Sequence, residues 1–147
     1  MKIQKTNKLV TDTFFSILVV SVIFLTTACA QKATFLNSSV VPAAKGSVKV
    51  KKDNNKNYVI EVEIKDLAEV ERLQPSKQTY VVWMETDRGN SENLGQLKSS
   101  RSMFSKQKTA SLETVSSFKP VKIFVTAENG IDVRYPESQI VLTTDNF

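Results

Sequence analysis

Residues 79–97 read TYVVWMETDRGNSENLGQL, and the architecture turns on this stretch. Tyr80 to Met84 is an unbroken apolar and aromatic run. Side chains alternate across a strand, so Tyr80, Val82 and Met84 face one way and Val81 and Trp83 the other. A strand that is apolar on both faces belongs in the middle of a sheet, with cover on each side. Asp87-Arg88-Gly89-Asn90 is turn chemistry, because Gly and Asn accept positive φ at little cost. Leu94-Gly95-Gln96-Leu97 is then expected to return beside the first strand as its partner.

Upstream, Val48 and Val50 alternate with Ser47, Lys49 and Lys51, and the polar turn Asp53 to Asn57 follows. Tyr58, Ile60, Val62 and Ile64 then share one face, with Val59, Glu61, Glu63 and Lys65 on the other, which predicts a half-buried hairpin. Lys49 and Lys51 opposite Glu61 and Glu63 would form cross-strand charge pairs. A paired-carboxylate site is the alternative for the two glutamates, and a solvated face is the simpler reading. Leu67, Val70 and Leu73 pin a crossover loop or short helical turn ended by Pro75. Downstream, Met103 and Phe104 sit among polar neighbours, Thr109 to Val115 is a modest strand with Ala110 and Leu112 inward, and Phe118 is a core plug. Val121, Ile123, Val125 and Ala127 alternate with Lys122, Phe124, Thr126 and Glu128. Asn129-Gly130 then signals a turn, and residues 138–143 (SQIVLT) close the sheet. Seven or eight short strands with turns between them and no long helix predict an all-β, antiparallel, immunoglobulin-like β-sandwich. Trp83 reads as a core residue of its central strand, with a ligand-stacking platform as the alternative.

The first quarter of the chain reads differently. Lys2, Lys5 and Lys8 precede the apolar run Phe14 to Leu25, which is shorter than the roughly 20 residues of a spanning helix. A basic start, a short apolar middle and a small-residue end describe a signal peptide over residues 1–28. Leu25-Thr26-Thr27-Ala28-Cys29 is similar to a bacterial lipobox, although Thr26 stands where Leu is usual. On that reading Cys29 carries a lipid that anchors the exported protein in the cell envelope. Ala28-Cys29-Ala30 also fits ordinary signal-peptidase cleavage leaving Gln31 first, and a retained anchor is the third possibility. Residues 29–46, rich in small residues and broken by Pro42 and Gly46, are expected to be a flexible tether ahead of a sandwich over 47–147.

Composition narrows the chemistry. The 147 residues hold 20 Lys and Arg against 15 Asp and Glu, leaving 17 against 14 from Cys29 onward. That mild excess argues against nucleic acid as a partner. The chain has no His and one Cys, so the commonest general base, internal disulfides and multi-Cys metal sites are absent. Ser105-Lys106-Gln107-Lys108 satisfies Ser-x-x-Lys without the partner motifs such an enzyme needs. P-loop, calcium-loop and dinucleotide patterns are missing, so no cofactor is expected. The Lys-rich hairpin (Lys45, Lys49, Lys51, Lys52, Lys56) could touch anionic lipid head groups, against the plainer reading of a solvated face with Glu neighbours.

One family resemblance is carried by Tyr80-x-x-Trp83, a polar turn, Leu94-Gly95, then Phe124-Val125-Thr126-Ala127-Glu128-x-Gly130, and Pro136 before a final apolar strand. Over roughly Tyr80 to Thr143 this order resembles the extracytoplasmic C-terminal domain of the anti-sigma-K factor family. The resemblance implies a sensor-type envelope domain. It does not extend to the family's sigma-binding N-terminal part, because Met1 to Thr13 is too short to bury a core. The matched positions are packing and turn positions, so the resemblance brings across no catalytic residue. The expected function is therefore non-enzymatic: an envelope lipoprotein whose sandwich binds another envelope protein. The alternatives are a small-ligand or glycan-binding module using the aromatics Phe104, Phe124 and Tyr135, and a structural spacer.

Overall fold

The computed structural model describes residues 30–101 and 108–147. Among these residues, nine strands make two antiparallel sheets. The strands are β1 (Gln31–Thr34), β2 (Lys45–Lys52), β3 (Tyr58–Lys65), β4 (Thr79–Thr86), β5 (Ser91–Gln96), β6 (Lys98–Arg101), β7 (Lys108–Ser116), β8 (Pro120–Glu128) and β9 (Ile140–Thr143). One sheet has the order β1-β2-β3-β7-β6 and the other β5-β4-β8-β9. The all-β reading therefore holds, and the only helical element among the described residues is a single 3-10 turn, Val70–Arg72. That turn lies in the crossover from β3 to β4, where Leu67 and Val70 are buried as expected.

The alternation in the sequence builds the core. Val48, Val50, Ile60, Val62 and Ile64 project from the five-stranded sheet, and they meet Tyr80, Val82, Met84, Ile123, Val125 and Ala127 from the four-stranded sheet. At about 25 cal/mol per Å² of apolar area, removing these side chains from water is the main force joining the sheets. On the far side of β3, Glu61 accepts a hydrogen bond from Lys51 Nζ at 2.9 Å, with Lys49 Nζ 3.8 Å away. Glu63 pairs with Lys65 of its own strand at 3.6 Å. The expected charge pairs thus converge on Glu61, and the face is solvated.

The segment expected to be a tether is part of the sandwich. β1 pairs with β2 from Gln31 opposite Val50 to Thr34 opposite Ser47. The chain then leaves the five-stranded sheet and joins the edge of the other. Phe35 bridges Thr144, Leu36 N donates to Thr143 O at 2.8 Å and Ser38 Oγ donates to Val141 O at 2.5 Å. Val41 and Ala44 are buried behind this crossing. Gly46, read as a breaker, is required by close packing: a Cβ there would stand 2.5 Å from Glu63 O and 3.0 Å from the Phe35 ring. On the opposite side Leu97 links β5 to β6 and so carries the chain from one sheet to the other. Both edges of the sandwich are therefore stitched by a strand that changes sheets, a device that blunts edge-to-edge aggregation.

Candidate interaction surface

β4 is apolar on both faces, and the face turned away from the core carries the feature that distinguishes this domain. Val81 and Trp83 of β4 and Phe124 of β8 form a second buried cluster against which Val133 packs. Trp83 is fully buried, and its ring lies stacked on Phe124 with centroids 6.3 Å apart and planes 11° from parallel. Trp83 is thus a packing residue, in a small core outside the sheets rather than between them. Phe124, expected among the exposed aromatics, is 6 % exposed. Its strand alternates correctly, but the outward face is covered.

The cover is the link between β8 and β9, residues 129–139, which the Asn-Gly signal had placed at a simple turn. Polar contacts fasten it. Asn93 Nδ2, on β5, donates to Ile131 O at 3.0 Å and to Val133 O at 2.9 Å. Glu137 N donates to Glu128 Oε1 at 3.2 Å. The same carboxyl oxygen accepts from Thr126 Oγ1 at 2.6 Å, and Thr126 Oγ1 accepts from Trp83 Nε1 at 2.8 Å. Trp83, Thr126 and Glu128 therefore form one buried chain of hydrogen bonds running from the aromatic stack to the covering segment. Glu128 is 1 % exposed, and a buried carboxyl is tolerable because donors meet it.

The segment's outward residues are mixed: Asn129, Asp132, Arg134, Glu137 and Gln139 are exposed beside the large apolar side chains of Ile131 and Tyr135, and Ile140 follows at the start of β9. Tyr135 is 74 % exposed, and Ile131 and Ile140 are each about half exposed. Ile131 and Tyr135 are thus held in the open on one fastened segment. Tyr135 is exposed as the sequence reading required. Ile131 and Ile140 were not singled out, since nothing in their spacing separates them from core residues. Cys29 and Phe104 lie outside the described residues, as does most of the Ser105–Lys108 motif.

A concavity of about 390 Å³ opens beside the start of β4. Leu67, Val70 and Leu97 line its floor, and Glu69, Glu71 and Gln96 its rim. Tyr80 stands in its wall, with its hydroxyl donating to Ala68 O at 3.0 Å. Burial, reinforced by the charge of Glu71, pushes the Tyr80 phenol up to about 12. The groove thus holds a neutral phenol among carboxylates. Among the described residues no acidic or Cys cluster could hold a metal ion, and no helix is long and apolar enough to cross a membrane.

Comparison of the chain with protein-family models, with curated proteins and with solved structures returned no match.

Proposed function

We propose that the protein is a non-enzymatic lipoprotein of the bacterial cell envelope, exported by residues 1–28 and anchored through Cys29. Its sandwich binds another envelope protein through the segment covering the four-stranded sheet. The observation that carries the reading is the pinning of residues 129–139 by Asn93 and Glu128, which leaves Ile131 and Tyr135 exposed on that segment, with Ile140 exposed where β9 begins. A rigid scaffold presenting a few apolar and aromatic anchors is the usual anatomy of a protein-contact surface. The Thr126–Glu128 pair, which in an open cleft could serve proton transfer, is here committed to holding the segment.

We further propose an immunoglobulin-like topology. The order β2-β3-β7-β6 facing β5-β4-β8-β9 corresponds to the A-B-E-D and C′-C-F-G sheets of such domains, with β1 added at the edge. The sensor-type role implied by the anti-sigma-K resemblance fits the same surface. Thr126 and Glu128 of its Thr-x-Glu motif and Trp83 of its Tyr-x-x-Trp motif are the residues that fasten the covering segment.

Cross-linked pull-down of the tagged full-length chain from envelopes tests the reading, with Ile131→Ser/Tyr135→Ser as the comparison. Capture of a membrane regulator that is lost in the double variant is the expected result. Undiminished capture by the variant would remove this surface from the function. A second reading, a small-ligand binder, rests on the groove beside Tyr80. Binding of soluble cell-wall fragments that Glu71→Gln weakens and Tyr135→Ser leaves intact would favour it.

A further inference from the structure

The register of β1 fixes where the leader meets the domain. Gln31 lies opposite Val50, and the strand runs toward Thr34 opposite Ser47. β1 therefore begins at the end of the sheet that leads through Lys51 and Lys52 to the 53–57 turn. Cys29 is two residues from Gln31, a reach of about 7 Å at full extension. With Gln31 built into the sheet, a lipid on Cys29 would lie within that reach of this end of the sandwich.

The same end gathers cations on aromatic supports. Lys52 Nζ stands 5.2 Å over the Tyr58 ring, and the Arg88 guanidinium lies 5.5 Å over Phe118. Lys119 is joined to the Arg88 turn by Asp87 N, which donates to Lys119 O at 3.2 Å. Lys56 occupies the 53–57 turn with φ 67°. Lys52, Lys56, Arg88 and Lys119 are exposed, and none forms an ion pair among the described residues, whereas Lys49 and Lys51 are held by Glu61. Asp53 uses its carboxyl within the turn, accepting from Asn55 N and Asn57 N at 2.8 Å each. Asp87 and Asp145 are the exposed acids of this end.

We propose that this end of the sandwich docks on an anionic lipid surface, with Lys52, Lys56, Arg88 and Lys119 on phosphate head groups and the Tyr58 and Phe118 rings beside them. The inference rests on the lipid anchor proposed at Cys29. Each well-placed cation near an anionic leaflet raises the docked population about fivefold, and the anchor supplies the high local concentration that makes such weak contacts count. Docking in this pose turns the groove beside Tyr80, at the far end of β4, away from the bilayer.

Lysine footprinting of the full-length processed chain tests the pose in phosphatidylglycerol-containing vesicles and in purely zwitterionic ones. Lys52, Lys56 and Lys119 are expected to react with an amine reagent about fivefold more slowly than Lys45 and Lys65 on anionic vesicles. The difference should vanish on zwitterionic vesicles and in high salt. Equal labelling of both ends in a chain that fractionates with the vesicles would overturn the docking and leave the anchor standing. Recovery of the processed chain in the soluble fraction would overturn the anchor, and the docking with it.

Discussion

The outward faces of β3 and β4 differ in a way that separates scaffold from surface. β3 puts Glu61, Glu63 and Lys65 into water beside the half-buried Val59, and its Ile60, Val62 and Ile64 pack in the core. β4 puts Val81 and Trp83 outward, so a second layer must cover them. That layer is a loop rather than a sheet, and a loop has its own backbone polar groups to satisfy. Asn93 and Glu128 meet part of that need. The five-stranded sheet therefore ends at a solvated surface, while the four-stranded sheet ends at a strapped and sculpted one. It is on the second that the proposed contact surface lies.

The largest effect is expected where the strap meets the sheet. Trp83→Ala should cost about 3–5 kcal/mol in denaturant unfolding, as for a large side chain removed from a packed interior. Trp83→Phe keeps most of the ring contact and removes only the Nε1 donor to Thr126, so its cost should be about 1–2 kcal/mol. A Trp83→Ala loss below about 1 kcal/mol would mean that the outer cluster is a loosely held flap, and the contrast with a true core would collapse.

Tyr80 tests the inward face of the same strand. Because the fold favours the neutral phenol, its contribution is fully present below the unfolded tyrosine value of 10.0 and is lost as pH climbs toward about 12. The expected loss is on the order of 2–3 kcal/mol across that window. Unfolding midpoints across it should fall for the native chain and flatten for Tyr80→Phe. A matching phenolate absorbance difference between the two proteins should develop near pH 12 rather than 10.

The strap itself should break with less. Asn93→Ala leaves the carbonyls of Ile131 and Val133 without their amide donor, at an expected global cost of about 1–2 kcal/mol. Its sharper signature is local: faster amide exchange and proteolysis within 129–139, with β3 and β7 unchanged. Exchange that rises equally in both sheets would show that strap and sandwich unfold as one unit.

These expectations also show what the sequence displays and what it hides. β2, β3, β4 and β8 were legible because apolar residues recur at every second position, and a half-buried strand needs nothing more. β1 was not, since Gln31, Lys32, Ala33 and Thr34 include no large apolar residue and the strand is held through its backbone to β2. The strap was hidden for a related reason. Only Val133 of its residues packs on the outer cluster, and its remaining hold comes from polar contacts: Asn93, some forty positions away, and the Glu128 carboxyl that meets Glu137 N. One signal was available: Thr79-x-Val81-x-Trp83 faces Phe124-x-Thr126-x-Glu128 across the pair. An outward face that rich in aromatic and β-branched residues demands a cover. Phe124 was therefore readable as buried, whereas the identity of its cover was not.

The smallest effect belongs to the solvated face. The hydrogen bond from Lys51 holds the Glu61 carboxyl below its ordinary value; partial burial opposes this, and the charges of Lys51 and Lys49 assist it. A lowered carboxyl contributes stability above the ordinary carboxylate range and loses it as pH falls through the depressed value. The Glu61 side chain is 34 % exposed, so solvent screens most of that attraction and Glu61→Gln should cost no more than about 0.5 kcal/mol. Unfolding midpoints measured at neutral pH and again below the carboxylate range should converge for the two proteins at the acid end. A Glu61→Gln penalty matching that of Asn93→Ala would erase the asymmetry between the faces, because a surface charge would then hold the fold as firmly as a buried strap contact.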